Sequence, residues 1–305
     1  MGKYIVKSLL QMIPVLFLIS TIVFILVHVT GDPVALMLPE TATEADRAAL
    51  SQALGLDKPL YIQFLVFLGN VLHGDFGRSF HYGQSALPLV LERLPASFEL
   101  AFAAMVVATV LAVPLGIISA VKRNSFLDLF ISGISVLGKA MPNFWTGIML
   151  ILLFSVMLGV FPVSGRGGAE HLVLPAVTLG TAVMAQMTRL IRSSMLEILN
   201  QDYIRTARSK GLLERVVIFT HAFRNGLIPV VTIMSLQFTS LIGGTLITET
   251  VFSWPGLGQL LVTAVNTHDM AIVQAAVFII AILVILSNLL TDLIYRILDP
   301  RIKYS

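Results

Sequence analysis

An all-α membrane protein of six transmembrane helices, with both termini in the cytoplasm, is the fold class this sequence predicts. Three observations predict it. Of the 305 residues 56% are hydrophobic and only 12% charged, against about a quarter charged in an ordinary globular domain. Six stretches approach the ~20 apolar residues that cross the hydrocarbon of a bilayer. The lysines and arginines fall on alternate sides of those stretches, as the positive-inside bias requires. With 22 Gly and 13 Pro the chain is neither collagen-like nor low-complexity, and with no Cys it can form no disulfide, thiolate metal site or cysteine nucleophile.

Taken in order, the expected spans are 9–29, 98–121, 129–160, 172–195, 228–247 and 271–298, all in one transmembrane domain, 1–305. The first is preceded by Lys3 and Lys7, as a signal peptide would be. It is followed by Thr30-Gly31-Asp32-Pro33 with no small-residue cleavage site, so it reads as a retained anchor. The third is long enough to tilt or to begin in the interface. The fourth is the least apolar but continuous.

Orientation follows from counting the flanking cations. With the N-terminus inside, the inner segments hold fourteen: Lys3, Lys7, Lys122, Arg123, the cluster from Arg189 to Arg224, and Arg296, Arg301 and Lys303. The outer segments hold five, Arg47, Lys58, Arg78, Arg93 and Arg166, and Lys139 lies inside the third span. The pI near 9.3 is therefore a topology signal, and no nucleic-acid partner is expected.

Two segments are too polar to cross. In the outer loop, 30–95, Thr43-Glu44-Ala45-Asp46 reads as a helix start, a Thr cap followed by acidic residues, with a stop at Gly55. A second helix from Pro59 to Leu72 places Tyr61, Phe64, Leu65 and Leu68 on one face. Pattern alone leaves open whether these helices lie on the membrane or on the bundle, or form a contact surface for something outside the membrane. On the inner side, 197–227 carries five positive and three negative charges and fits two short helices meeting near Gly211. Val216, Phe219, Phe223 and Leu227 recur at helical steps as one apolar face. About 30 residues exceed what a connection needs, so a docking element is expected, with a solvated hairpin as the alternative.

Catalytic motifs are absent. Gly133 to Ala140 has phosphate-loop spacing but lacks the closing Ser or Thr and lies in an apolar run. The six histidines contain no H-E-x-x-H pair and there is no G-x-S-x-G elbow. No metal site is expected, and an intramembrane enzyme is a weak second class.

Polar residues inside the spans are better leads. Ala104, Ala108, Ala112, Gly116 and Ala120 form a small-residue stripe suited to close helix packing. Thr232, Ser235 and Thr239 share a face leading to Gly243, fit either for hydroxyl bonds between helices or for lining a wet pathway. Asp292 is expected to pair with Arg296, and Lys139 to snorkel toward the inner surface.

Several motifs together resemble the permease subunits of the oligopeptide/dipeptide family of bacterial ATP-driven (ABC) importers, the first of that family's two permease types. They are Val27-His28-Val29-Thr30-Gly31-Asp32-Pro33, Gly55-Leu56-Asp57-Lys58-Pro59-Leu60, Gly74-Asp75-Phe76-Gly77-Arg78-Ser79, Phe252-Ser253-Trp254-Pro255-Gly256-Leu257-Gly258 and Asp299-Pro300-Arg301. The most mechanistic match is the run from Asp202 to Gly211 with His221-Ala222-Phe223-Arg224-Asn225, which resembles the cytoplasmic coupling loop of these importers. Where the general importer pattern has Glu-Ala-Ala, this chain has Arg205-Thr206-Ala207, the form of the peptide branch.

The resemblance implies a type I ABC importer permease fold in the bacterial inner membrane. It implies a second homologous permease, two ABC ATPase subunits that bind ATP and magnesium, and an extracytoplasmic substrate-binding protein, with no cofactor or catalytic residue on this chain. Asp202, Tyr203, Arg205, Thr206, Ala207, Gly211, His221, Arg224 and Asn225 would form the coupling surface. Asp57, Asp75 and Trp254 would be outer contacts, and Thr232, Ser235, Thr239 and Gly243 pathway lining. The expected cargo is a di- or oligopeptide, with glutathione, a nickel chelate or an oligosaccharide as alternatives. A lone ion-coupled transporter is the competing class; it would ordinarily need more intramembrane charge than Lys139 and Asp292 supply.

Overall fold

The computed structural model describes residues 2–30, 38, 43–53 and 55–298. Gly31-Asp32-Pro33, Leu54 and the tail Asp299-Pro300-Arg301 lie outside the described residues, as do the side chains of His28, Leu227 and Arg296. Regular structure among the described residues is helical, with one isolated bridge between Arg78 and Ser85.

Among the described residues thirteen α-helices follow in chain order. They are α1 (Gly2–Thr30), α2 (Glu44–Ala53), α3 (Leu60–Leu72), α4 (Ala86–Val121), α5 (Phe126–Ala140) and α6 (Asn143–Leu150), the last continuing in π-helical turns over Ile151–Met157. Next come α7 (Ala169–Leu199), α8 (Asp202–Ser209) and α9 (Glu214–Val216), which continues in π-helical turns over Val217–Phe223. Then come α10 (Arg224–Gly244), α11 (Leu246–Val251), α12 (Leu257–Asn266) and α13 (Met270–Leu298).

Among the described residues helices α1, α4, α7 and α13 are each long and apolar enough to cross a membrane, and the candidate spans number six if each of two bent pairs counts as one. The stretch 129–160, expected as one span, is such a pair: α5 and the α6 segment meet at 106°. Pro142 explains the break. It has no N–H to continue the helix, and it holds the preceding Met141 in extended backbone, ψ 129°. The phosphate-loop look-alike at 133–140 is plain helix within α5.

Contact density divides the chain into two compact units, residues 1–95 with 256–286 and residues 96–255 with 287–305. In the first, Val71, Phe76, Leu89, Val90, Leu260 and Ile272 belong to one apolar cluster. Helix α2 starts as its sequence predicts. The Thr43 hydroxyl donates to Asp46 at 2.7 Å and accepts from the Asp46 N–H at 3.3 Å, a reciprocal cap. The Thr43 hydroxyl, and then its backbone N–H, hold the Asp46 carboxyl below the usual carboxylate range. Helix α3 departs from its expected face. Phe64 and Phe67 meet Phe24 at ring separations of 5.2 and 5.7 Å, whereas Tyr61 and Leu65 stay exposed.

In the second unit the small-residue stripe of α4 does what small residues allow. Ala104, Ala108, Ala112 and Ala120 are buried in a core shared with Leu179, Met187 and Ile191 of α7. A Cβ at Gly116 would lie 2.7 Å from Ile191 Cβ and 3.0 Å from the Thr188 carbonyl oxygen. One at Gly180 would lie 3.0 Å from the Ala104 carbonyl oxygen. These obstacles sit on or beside the backbone and cannot swing aside. Gly116→Val is therefore expected to force the two helices apart and destabilise the protein by about 1–3 kcal/mol. Thermal unfolding in detergent checks it; an unchanged midpoint would mean the helices part freely.

Candidate functional site

The inner hairpin is built from α8, a turn at Gly211, and α9 with its π-helical extension. Gly211 has φ +75°, which glycine adopts without the Cβ penalty. Its N–H donates to the Arg208 carbonyl at 2.9 Å, closing the turn. Arg208 bridges the same turn through Nε and Nη2 to both carboxylate oxygens of Glu214, at 3.2 and 2.7 Å. Across the hairpin, Asn225 Nδ2 donates to the Tyr203 hydroxyl and to the His221 carbonyl, each at 3.0 Å.

One side of this hairpin is anchored. Ile204, Ala207, Val217, Ile218 and Ala222 are buried in the core of the second unit. The other side faces outward. Asp202, Tyr203, Arg205, Thr206, Gly211, Arg224 and Asn225 are exposed, and His221 is half-buried. Asp202 and Arg205 pair loosely at 3.7 Å, and the Thr206 hydroxyl donates to the Asp202 carbonyl at 3.0 Å. Ala207 is thus the one expected surface residue that serves as an anchor instead.

Of the expected apolar face, Val216 and Phe219 are exposed and Phe223 is half-buried, while Val217, Ile218 and Ala222 point inward. The reason is the π-helical register of Val217–Phe223. With i→i+5 bonds each turn holds more residues than an α-turn, and the fully buried Val217 and Ala222 stand five residues apart. Tyr203, Leu212, Leu213, Val216 and Phe219 form an exposed apolar set beside Arg205, Lys210 and Arg215.

Near the hairpin's root lies a cluster the sequence reading missed. Asp128, 4% exposed, receives Arg192 Nε at 2.7 Å and Nη2 at 2.8 Å. It also accepts the Ser119 hydroxyl at 2.5 Å and the Asn124 N–H at 2.9 Å. The Ser125-x-x-Asp128 spacing at the start of α5 is a capping signal that could have revealed half of it. Its partner Arg192 is 64 residues away. Lys139, expected to snorkel, instead reaches Gln186 Oε1 on α7 at 3.5 Å. For Asp292 the expected partner's side chain, Arg296, is outside the described residues.

The outer motifs have structural explanations. In Gly74-Asp75-Phe76-Gly77-Arg78-Ser79, Asp75 accepts the Gly77 N–H at 2.9 Å and Phe76 is buried 5.4 Å from Phe278. Arg78 Nη2 donates to the Gly83 carbonyl at 2.8 Å. The buried Ser79 hydroxyl donates to the equally buried Asp269 carboxylate at 2.5 Å, fixing this turn to the start of α13. Asp57 and Asp75 are exposed, as outer contacts must be.

Trp254 is not. It is 1% exposed, donates Nε1–H to the Ala96 carbonyl at 2.8 Å, and lies under Arg166, whose guanidinium is 5.8 Å from its ring centre. Arg166 is held in turn by Glu99 at 2.6 and 3.0 Å. An indole so enclosed has no surface to offer a partner; its part is to hold the loop against α4.

The polar face of α10 divides. The Thr239 and Ser287 hydroxyls share a hydrogen bond of 2.7 Å, and the Thr291 hydroxyl reaches the Ser235 carbonyl at 3.4 Å, so two of the four candidates bind α13. Thr232 is half-buried, and Gly243 is exposed with open space where a Cβ would stand.

Four long apolar helices among the described residues, with a polar hairpin between α7 and α10, define a multi-pass membrane protein. The sequence places it further: the chain belongs to the family described as binding-protein-dependent transport system inner membrane component, which it matches over residues 112–304, with that family's N-terminal region matched over residues 1–101. It is 42% identical over 319 residues to the oligopeptide transport system permease protein AppB of Bacillus subtilis (strain 168), covering all of both chains. The dipeptide transport system permease protein DppB of Escherichia coli (strain K12) is 40% identical over 341 residues, and its glutathione transport system permease protein GsiC 41% over 306, each with full coverage of both chains.

The fold is shared with a chain of the MetNI methionine ABC transporter in an inward-facing conformation, at TM-score 0.57 and 20% identity, over 69% of this chain and 96% of that one. This is therefore a multi-pass inner-membrane permease of a binding-protein-dependent ABC importer, non-catalytic itself, with ATP hydrolysed on partner subunits.

Proposed function

We propose that this chain forms half of a peptide translocation pathway, pairs with a second, similar permease, and is driven through the hairpin 202–225 by two ATPase subunits. The observation that carries this reading is the hairpin's division into a buried root and an exposed apolar and basic face. A solvated hairpin has no need to leave Leu213 and Phe219 uncovered, whereas a docking element does. Relatives named for oligopeptides, dipeptides and glutathione support a cargo of short peptides or peptide-like molecules. Asp57 and Asp75 remain the exposed outer candidates for meeting the binding protein, and Thr232 and Gly243 the pathway candidates not engaged with α13. Both chain ends lie on the cytoplasmic side in this reading.

Phe219→Asp tests the docking. Phe219 is 57% exposed, so the substitution leaves the fold intact while placing a charge in the contact. Purified in mild detergent, the unaltered protein is expected to bring a second permease and ATPases in stoichiometric amounts. The variant is expected to lose the ATPases by about tenfold or more, the effect of disrupting a buried interface anchor, with an unchanged unfolding midpoint. Full retention of the ATPases rejects the docking role. The cargo is read by identifying the binding protein and measuring which peptides it retains.

A further inference from the structure

Asp128 collects donors from three places at once: Ser119 near the end of α4, Asn124 in the turn between α4 and α5, and Arg192 on α7. Its own helix start is capped by the Ser125 hydroxyl, at 3.3 Å from the Asp128 N–H. Asn124 sits at φ +62°, a left-handed conformation that aims its N–H at the carboxylate. The carboxylate is taken from water and the guanidinium partly so, which offsets much of their attraction, and apolar residues of similar volume often stabilise as well. What the ion pair adds is direction. Two parallel N–H···O bonds fix the planes of both groups, and so fix the register of α7 against the α4–α5 turn.

The position of this lock matters. Arg192 precedes the end of α7 by seven residues, about 10 Å of helix. Only Asn200 and Gln201 then intervene before α8 of the hairpin. We infer that Asp128 and Arg192 are a positioning pair, which makes the start of α5 and the end of α7 move as one body when the hairpin is displaced and thereby ties ATP hydrolysis to opening of the pathway. The inference rests on the hairpin's docking proposed above. Ser119 and Asn124 orient the carboxylate; Arg192 carries the motion across to α7.

The test uses the complex purified with its own ATPase and binding-protein subunits, reconstituted in liposomes, with a labelled peptide that its binding protein retains. Asp128→Asn and Arg192→Lys each keep the volume but lose the paired geometry. The double variant Asp128→Leu with Arg192→Met replaces the pair by apolar packing. The readouts are co-purified ATPase, unfolding midpoint, and ATP hydrolysed per peptide moved.

All three variants are expected to assemble and hydrolyse ATP, but to consume about fivefold or more ATP per peptide, the lower end of typical coupling effects. The double variant is expected to do so while remaining folded and assembled, its apolar packing offsetting in part the acceptor that Ser119 and Asn124 lose. The inference is overturned if the well-folded double variant transports at the original ratio, or if transport and hydrolysis fall in the same proportion in every variant, which would mark a purely structural pair. Docking fails separately, by the co-purification of Phe219→Asp, so the two readings can be told apart.

Discussion

Trp254→Ala is expected to unfold the second unit more readily than any other single truncation of an outer-loop side chain, by about 3–5 kcal/mol. The indole is among the largest fully buried side chains, and removing it leaves a cavity bordered by the α4 backbone. Three losses add. The apolar contacts with the core go, the Ala96 carbonyl loses the 2.8 Å bond from Nε1, and Arg166 loses the ring beneath it while still tied to Glu99. Trp254→Phe separates them: it restores most of the volume but not the donor, and should cost only about 0.5–1.5 kcal/mol beyond the fit of the smaller ring. Thermal unfolding of the detergent-solubilised protein measures both. If Trp254→Ala melts like the unaltered protein, the side chain is not the anchor described above. If it melts normally yet loses binding-protein stimulation, the outer-contact role is restored.

Gly211→Pro is the second large effect, and it falls on function. At φ +75° the residue lies far from the −65° that a pyrrolidine ring imposes. The N–H that bonds the Arg208 carbonyl is removed as well. The turn cannot close, Arg208 and Glu214 are drawn apart, and the exposed face of α8 is no longer set beside that of α9. Transport and stimulated ATPase activity are both expected to disappear, while the membrane helices, which do not depend on this turn, stay folded.

Gly211→Ala is the control. Nothing stands within 4 Å of the added Cβ, so only the left-handed backbone penalises it, by roughly 1–2 kcal/mol. It should transport at a reduced but measurable rate. Uptake by the reconstituted importer decides the matter, and undiminished transport in Gly211→Pro would remove the hairpin from the mechanism.

Much of this was legible before any fold was known, and particular residues show why. Thr43 caps α2, Gly55 ends the following turn with φ +69°, and Gly211 turns the hairpin, because each obeys a local backbone rule carried by its own residue type. The stripe from Ala104 to Ala120 was legible as packing because small residues at four-residue steps leave few other uses.

What was misread depended on period or on distant partners. Val216, Phe219 and Phe223 recur at α-helical steps, yet within the π-helical turns of Val217–Phe223 it is Val217, Ile218 and Ala222 that are buried. Tyr61, Phe64, Leu65 and Leu68 share one helical face by pattern, and of these the Phe24 ring engages Phe64, together with Phe67, while Tyr61 and Leu65 stay exposed. Trp254 sits in a loop motif that reads as exposed. Its burial follows from a carbonyl 158 residues earlier, which no local pattern encodes.

The sequence by itself determined that this chain crosses the membrane, where α2 starts, and to which family it belongs. Those properties are set by composition, by the span of a bilayer and by rules acting over a few residues. Only the tertiary structure decided which polar groups are spent internally and which remain to be used. Asp128 is consumed by Arg192, Thr239 by Ser287 and Trp254 by Ala96, while Arg205 and Asp75 are left facing outward. The physical reason is that a buried polar group must find its partner wherever the fold brings one, and the distance along the chain to that partner is not written in either residue.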